Sequence, residues 1–340
     1  MKEILENNTH KRYNILTDEW VLVSPHRTKR PWQGQEEKTI EKTAIEHDPN
    51  CYLCARNKRS NGTTNPDYTD TFVFENDFAA LKSDSETFEI DNGLLKASSE
   101  KGIGKVICFS PNHSKSLAEM SVQEIEKVVT VWQSEYSNLG KVDFINYVQI
   151  FENKGAVMGC SNSHPHGQVW AQSTIPNEVQ KRNLTQAAHF QKYDTSLLGD
   201  YIEQELKLNE RILFENEHMI VLVPFWAVWP YETIIVPKKR QAHIGLLTAS
   251  KKADYAEAIK KLTACYDQLF NCAFPYSSGI HQAPTDGNEH KHWHWHMSFY
   301  PPLLRSASVK KFMVGYEMFA MPQRDITAEM AAKTLRNLMQ

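Results

Sequence analysis

A pattern of alternate histidines occurs twice in this chain. The first copy is Gly159-Cys160-Ser161-Asn162-Ser163-His164-Pro165-His166-Gly167-Gln168-Val169-Trp170, and the second is His292-Trp293-His294-Trp295-His296-Met297-Ser298-Phe299. Side chains two apart share one face of a strand. His164, His166 and Gln168 are therefore expected on one face, answered by His294, His296 and Ser298. The likeness reaches beyond the histidines. Phe74-Glu75-Asn76-Asp77 is answered by Phe214-Glu215-Asn216-Glu217, and the strand Lys105 to Phe109 with its proline by Thr233 to Pro237. A helix with Ile125, Val128, Val129, Trp132, Tyr136 and Leu139 is answered by one with Tyr255, Ile259, Leu262, Tyr266 and Leu269. A long internal repeat means one architecture built twice. We expect two units of strands plus one main helix, over residues 1–180 and 181–340. The seam falls in the polar, weakly periodic sequence of about residues 180–205.

Local signals support the elements. Ser121-x-x-Glu124 is a capping box at the start of the first helix, and Gly140 is its stop. Strands are expected at Trp20 to Val23, Thr71 to Asp77 and Phe144 to Phe151, a loop over residues 33–50, and an amphipathic helix from Thr327 to Gln340. Gly159 and Gly167 are expected to leave room for a ligand against the backbone.

Composition excludes several classes. The chain has 340 residues, 41% hydrophobic and 23% charged, an ordinary globular balance. A formal charge of −3 gives no electrostatic case for nucleic acid. No apolar run approaches the roughly 18 residues needed to span a bilayer. The acidic start, Met1 to Asn8, is unlike a signal peptide. A cytoplasmic setting is expected, in which six cysteines favour free thiols or metal ligands over disulfides.

Cys51-Tyr52-Leu53-Cys54 is half of a zinc site, a redox pair, or two ordinary buried cysteines. Cys51, Cys54, His113 and His164 together make a complete, closed two-Cys, two-His set, which is structural rather than water-activating. His166, mid-motif between glycine-flanked neighbours, is the better nucleophile. Such a histidine must be neutral, with one nitrogen free and the other held by a carbonyl. Gln168 can donate to a phosphoryl oxygen but cannot titrate. That suits a leaving group that departs as a stable anion, such as a sugar phosphate. Arg27, Lys29 and Arg30 form a basic cluster on a Pro-bounded loop, an anion clamp or a solvated loop.

The stretch from Gly159 to Trp170 resembles the signature of the galactose-1-phosphate uridylyltransferase family, in the histidine-triad superfamily. The resemblance runs nearly end to end, through Arg12-Tyr13-Asn14, Ser24 to Arg27, Asn65 to Tyr68, Phe74 to Leu81, Phe109 to Pro111, Tyr300 to Ser306 and Lys311 to Glu317. It implies an α+β fold of two tandem histidine-triad units, each an antiparallel sheet with packed helices. It implies a homodimer whose active sites lie between subunits. It implies ping-pong transfer of UMP from UDP-glucose to galactose 1-phosphate through a uridylyl group on His166, with Gln168 and Ser161 at the phosphoryl oxygens. Cys51, Cys54, His113 and His164 match the family's zinc ligands. Asn76, Asp77, Asn153, Gly159 and Cys160 match nucleotide contacts. Arg27, Thr28, Lys29, Arg30, Lys311, Phe312, Val314, Gly315, Tyr316, Glu317 and Gln323 match phosphate and sugar contacts.

The sequence departs from the family pattern at a second metal, iron, that some members carry. His281 and His296 match two ligands, but Arg182 stands at the glutamate position and Ser298 at the third histidine position. A cation beside two histidines opposes metal binding, so this site is expected to be absent or weak with transfer intact. Ser163, where relatives often have proline, lies outside the chemical set. Two rivals remain at this point: a same-superfamily enzyme on dinucleoside polyphosphates, and a non-catalytic zinc-stabilised nucleotide- or DNA-binding module.

Overall fold

The computed structural model describes residues 2–29 and 44–339. Arg30 and residues 33–43 of the expected loop lie outside them. The first half holds α1 (Lys2–Asn7), β1 (His10–Asn14), β2 (Glu19–Val23), β3 (Phe72–Glu75), β4 (Glu89–Asn92), β5 (Leu95–Ser98), β6 (Gly102–Cys108), α2 (Val122–Leu139), β7 (Tyr147–Lys154) and β8 (His166–Gln172). The second holds α3 (Asn177–Tyr193), α4 (Leu197–Leu208), β9 (Ile212–Glu215), β10 (Met219–Leu222), β11 (Thr233–Pro237), α5 (Ala249–Leu269), β12 (Tyr276–His281), β13 (His296–Tyr300), α6 (Tyr316–Phe319), β14 (Gln323–Arg324) and α7 (Ala328–Met339).

The fold is α+β. Each half contributes an antiparallel set of strands, and the two sets join into one nine-stranded sheet, β3-β6-β8-β7-β12-β13-β11-β10-β9. Outward from the β7–β12 seam, β7-β8-β6 on one side is answered by β12-β13-β11 on the other. Edge strands expose unpaired N–H and C=O groups, and pairing β7 with β12 satisfies both rows at once. The seam register is Asn153↔Ser277 and Phe151↔Gly279. The repeat is not uniform at the outer edge. Beside β6 stands β3 alone, whereas beside β11 stands the β10–β9 hairpin.

The helix-covered face holds the main core. Ser121 accepts from Glu124 N while the Glu124 side chain accepts from the cap, so α2 starts with its polar ends satisfied. Its Ile125, Val128, Val129, Trp132, Tyr136 and Leu139 are buried with Tyr255, Ile259, Leu262 and Tyr266 of α5 and with Ile150, Val169, Ala171, Met297 and Phe299 of the sheet. Burial of such stripes is what a helical spacing of three and four residues achieves.

The opposite face is treated differently in the two halves. Over the second half, Leu198 and Ile202 of α4 pack with Leu16, Val21, Val23, Ile220, Leu222, Ile234 and Val236. Val179 of α3 packs with Tyr147, Ala283 and Trp293. The Arg12 guanidinium donates to both carboxylate oxygens of Glu329, at 3.0 and 2.9 Å, and so ties β1 to α7. Over the first half this face is covered beside β8, where Cys51, Leu53, Ala55 and Tyr68 pack with Val106 and Cys108 of β6. His166, Gln168 and Trp170 remain partly exposed, while their neighbours Gly167, Val169 and Ala171 are buried.

Candidate active site

The strand begins later than the sequence pattern implies. β8 starts at His166, and His164 lies before it in a bend, fully buried. Pro165 has no N–H for a ladder bond, and its carbonyl accepts from Phe109 N at 3.0 Å. His164 is thus released from the face of His166 and Gln168 and turns inward to the cysteines. Gly167 also differs from expectation. A Cβ there would lie 2.9 Å from Phe109 Cζ and 3.1 Å from the Phe151 carbonyl oxygen. Gly167 admits the ring of Phe109 on the core face, not a ligand on the open one. Gly159, at φ +79° with no heavy atom within 4 Å of a would-be Cβ, ends a 3-10 turn at Ala156–Met158 in the left-handed region.

His166 Nδ1 lies 2.7 Å from the His164 carbonyl oxygen. A carbonyl only accepts, so Nδ1 carries the proton and Nε2 keeps its lone pair. Burial pushes the His166 pKa below its ordinary value, which the His164 carbonyl partly offsets. The ring is therefore neutral at neutral pH. Gln168 stands opposite Phe151 of β7, and its Oε1 accepts from Trp170 Nε1 at 3.1 Å. Asn153 Oδ1 accepts from Ser277 Oγ at 2.7 Å. Ser161 and Gly159 are exposed, and Cys160 Sγ donates to the Asn162 carbonyl at 2.9 Å. At the far side, Asn76 Oδ1 accepts from Phe78 N at 3.0 Å, and Asp77 is held by Asn61 at 2.8 Å and Arg59 at 3.4 Å.

Cys51, Cys54, His113 and His164 are all buried, and their ligand atoms lie within 4.8 Å of one another. Cys54 Sγ is 3.4 Å from Nδ1 of both His113 and His164. The distal nitrogens are oriented by oxygen: His164 Nε2 by the Ser110 carbonyl at 2.9 Å and Tyr68 Oη at 3.2 Å, His113 Nε2 by Ser163 Oγ at 2.9 Å. Two thiols, two imidazoles and a shell of oxygens that fixes the rings fit a tetrahedral dication with no open position. The sequence reading missed Asn162, which donates from Nδ2 to Cys51 Sγ at 3.4 Å and accepts from His164 N at 2.9 Å. An Asx residue two before a bend residue was the available signal.

The remaining expected contacts gather elsewhere. Arg27, Lys311, Tyr316, Glu317 and Gln323 line a cavity of about 380 Å³ with Leu22 and Ser24. Lys311 pairs with Glu317, and Arg27 Nε lies 3.0 Å from Asp325. Thr28 Oγ1 donates to the Pro25 carbonyl at 2.7 Å. Lys29 closes the same 3-10 turn at Pro25–Lys29. Phe312, Val314 and Tyr316 are exposed, and Gly315 has φ +53°. This cleft stands on the three-stranded β1-β2-β14 sheet, not on the nine-stranded one. Among the described residues, no hydrogen bond joins Arg27, Lys311, Glu317 or Gln323 to β8.

The second histidine strand is shut. His294 and His296 are buried beneath α3, whose Gln186 accepts from His294 N at 3.0 Å and whose Asn183 accepts from Trp293 Nε1 at 2.6 Å. His294 repeats His164, with Nε2 on the Pro237 carbonyl at 2.8 Å, but its Nδ1 meets Ser196 Oγ at 2.9 Å where His164 meets a cysteine. Both nitrogens are engaged, so it does not stand in as a metal ligand. His281 and His296 stack at 4.8 Å beside buried Arg182, which donates to Glu178 Oε2 at 2.8 Å. Burial first, and then Arg182, hold both rings well below the usual histidine range.

Comparison with known proteins accords with this geometry. The profile for galactose-1-phosphate uridyl transferase, N-terminal domain, matches residues 2–176, and that for its C-terminal domain matches residues 182–340. A galactose-1-phosphate uridylyltransferase of Haemophilus influenzae is 52% identical over 97% of this chain and 94% of its own length. That of Saccharomyces cerevisiae is 47% identical over 98% and 95%. A solved uridylyltransferase structure shares the fold at a TM-score of 0.78 and 24% identity, covering 97% of this chain and 98% of that one. An ADP-glucose phosphorylase of Arabidopsis thaliana follows at 0.76 and 23%, covering 97% and 99%. The chain is an enzyme, a nucleotidyltransferase, and belongs to the galactose-1-phosphate uridylyltransferase family.

Proposed function

We propose that the chain transfers UMP from UDP-glucose to galactose 1-phosphate through a covalent uridylyl group on His166. One observation carries this reading: Nδ1 of His166 is bound to the His164 carbonyl at 2.7 Å on the open face of the sheet, which leaves Nε2 free to attack. Nε2 bonds to the α-phosphorus, and the bond from that phosphorus to the bridging oxygen breaks. Glucose 1-phosphate departs as a stable anion, so no general acid is needed. Galactose 1-phosphate then attacks the same phosphorus and restores the neutral ring, giving UDP-galactose. Gln168 donates to the non-bridging oxygens, where charge develops, and Ser161 assists. Asn76, Asp77, Asn153, Gly159 and Cys160 hold the nucleotide. The basic cleft with Arg27, Lys311 and Glu317 holds the sugar phosphate, joined by Thr28, Lys29, Arg30, Phe312, Val314 to Tyr316 and Gln323.

In this reading zinc is held by Cys51, Cys54, His113 and His164 and pins the bend that aims His166. A bound dication supplies structural closure there, not water activation. The place between His281, His296 and Arg182 takes no iron. The functional units are residues 1–180 and 181–340. The working form is a homodimer in which the cleft of one protomer completes the site of its partner. This is supported by the separation of cleft and nucleophile on two sheets and by exposed Leu94, Leu95, Met318 and Phe319. A cytoplasmic setting agrees with six free cysteines, and no helix among the described residues is long and apolar enough to cross a membrane.

The test is a donor and acceptor screen. UDP-glucose with galactose 1-phosphate should give UDP-galactose, with parallel double-reciprocal plots. Faster phosphorolysis of diadenosine polyphosphates or of ADP-glucose would overturn the assignment of substrates.

A further inference from the structure

Trp170 lies two residues beyond Gln168 on the same open face of β8, and its Nε1 is 3.1 Å from Gln168 Oε1. An indole N–H can only donate, so the amide atom facing it must be the oxygen. The Gln168 NH2 group then points away from Trp170. Among the described residues, Gln168 Nε2 has no hydrogen-bond partner, so both its protons are available to a ligand. The indole is itself fixed: Phe151, the cross-strand partner of Gln168, packs edge-on against it at 5.7 Å and 81°. A free glutamine amide has two orientations of similar shape. One offers two donors to a phosphoryl oxygen, and the other offers an acceptor that repels it.

We propose that Trp170 is a positioning residue that locks the Gln168 amide with its NH2 toward the phosphoryl group. The proposal rests on the reading that His166 takes UMP from UDP-glucose, and it adds a part to that step. Trp170 touches neither the reacting nitrogen nor the phosphorus. It removes the orientation in which Gln168 presents oxygen to oxygen, before substrate arrives. Donors aimed in advance at developing charge need no reorganisation during reaction.

The experiment is a double-mutant cycle read as the single-turnover rate of adduct formation on the zinc-loaded full chain with UDP-glucose. The four proteins are the parent, Trp170→Phe, Gln168→Ala and the double variant. Trp170→Phe should slow adduct formation about 5- to 10-fold, the worth of one neutral hydrogen bond. The UDP-glucose concentration for half-maximal rate should stay within about twofold, since orientation matters most where charge develops. In the Gln168→Ala background the tryptophan change should cost nothing further. Trp170→benzothienylalanine, which keeps the bicyclic ring and replaces only N–H with sulfur, should reproduce Trp170→Phe where the smaller ring loosens the packing on Phe151. No slowing in the parent background, or equal slowing in both backgrounds, overturns the proposal. A parent that forms no adduct overturns instead the reading of function on which it rests.

Discussion

Replacing Glu152 by glutamine should stabilise the protein, and more so at high pH. Glu152 lies on β7 but faces the core, only 4% exposed, and accepts from Tyr276 Oη at 3.1 Å. Burial pushes its carboxyl from 4.5 up to about 7, against the opposing pull of Lys154 and Tyr276. The folded pKa of this acid is raised. Below 4.5 both states hold the proton and nothing is lost. Above it the unfolded chain ionises while the folded one does not, and stability falls until about pH 7. At pH 8 the loss is about 2.5 units at ~1.36 kcal/mol each, roughly 3 kcal/mol. At pH 5.5 it is about one unit, roughly 1.4 kcal/mol. Glutamine keeps an oxygen for Tyr276 and has no proton to lose. With an unfolding entropy of ~2.1 cal/mol/K per residue, 340 residues give about 0.7 kcal/mol/K. Thermal melts should then show Glu152→Gln ahead of the parent by about 2 °C at pH 5.5 and about 5 °C at pH 8. An equal shift at both pH values, or a larger one at pH 5.5, would refute the reasoning.

Three further outcomes follow from the site. Gly167→Ala places a methyl group against Phe109 and the Phe151 carbonyl. It should lower the melting temperature by about 3 °C, from roughly 2 kcal/mol of overpacking. It should also slow adduct formation at least about tenfold by shifting the strand beneath His166 and Gln168; wild-type rates would contradict it. Cys54→Ser should lose stoichiometric zinc by metal analysis while Cys160→Ser retains it, and full zinc in Cys54→Ser would rule out the four-residue centre. The rate of adduct formation should stay flat from pH 8 down through the ordinary histidine value near 6.5, because burial lowers the pKa of His166. A decline beginning above that value would mean the ring is not held neutral.

The duplicated plan was legible because hydrophobic spacing and turn residues are local. The capping box of α2, the two long helices and the pair His166 and Gln168 on one face of β8 stand where their patterns put them. The four residues that could hold a metal ion were legible as residue types, and the structure gathers them. What was not legible depends on long-range contacts. The pairing of β7 with β12 joins residues over a hundred positions apart, and no local period encodes it. The burial of His294 and His296 comes from α3, a helix whose weak periodicity concealed it. Gly167 read as space for a ligand because the sequence does not say which face Phe109 approaches. His164 left the strand because Pro165 removes a donor, a signal that was present in the motif. Trp170 closes the motif, and its place two residues after Gln168 and its donor-only ring are both visible in the sequence, but the contact between them is not.

The central claim is that His166 carries the uridylyl group. Intact-protein mass after mixing with UDP-glucose tests it most directly, on the parent and on His166→Gly. The account predicts one uridylyl group on the parent, removed by galactose 1-phosphate with release of UDP-galactose, and none on His166→Gly. An unmodified parent, or the same adduct on both proteins, would contradict it.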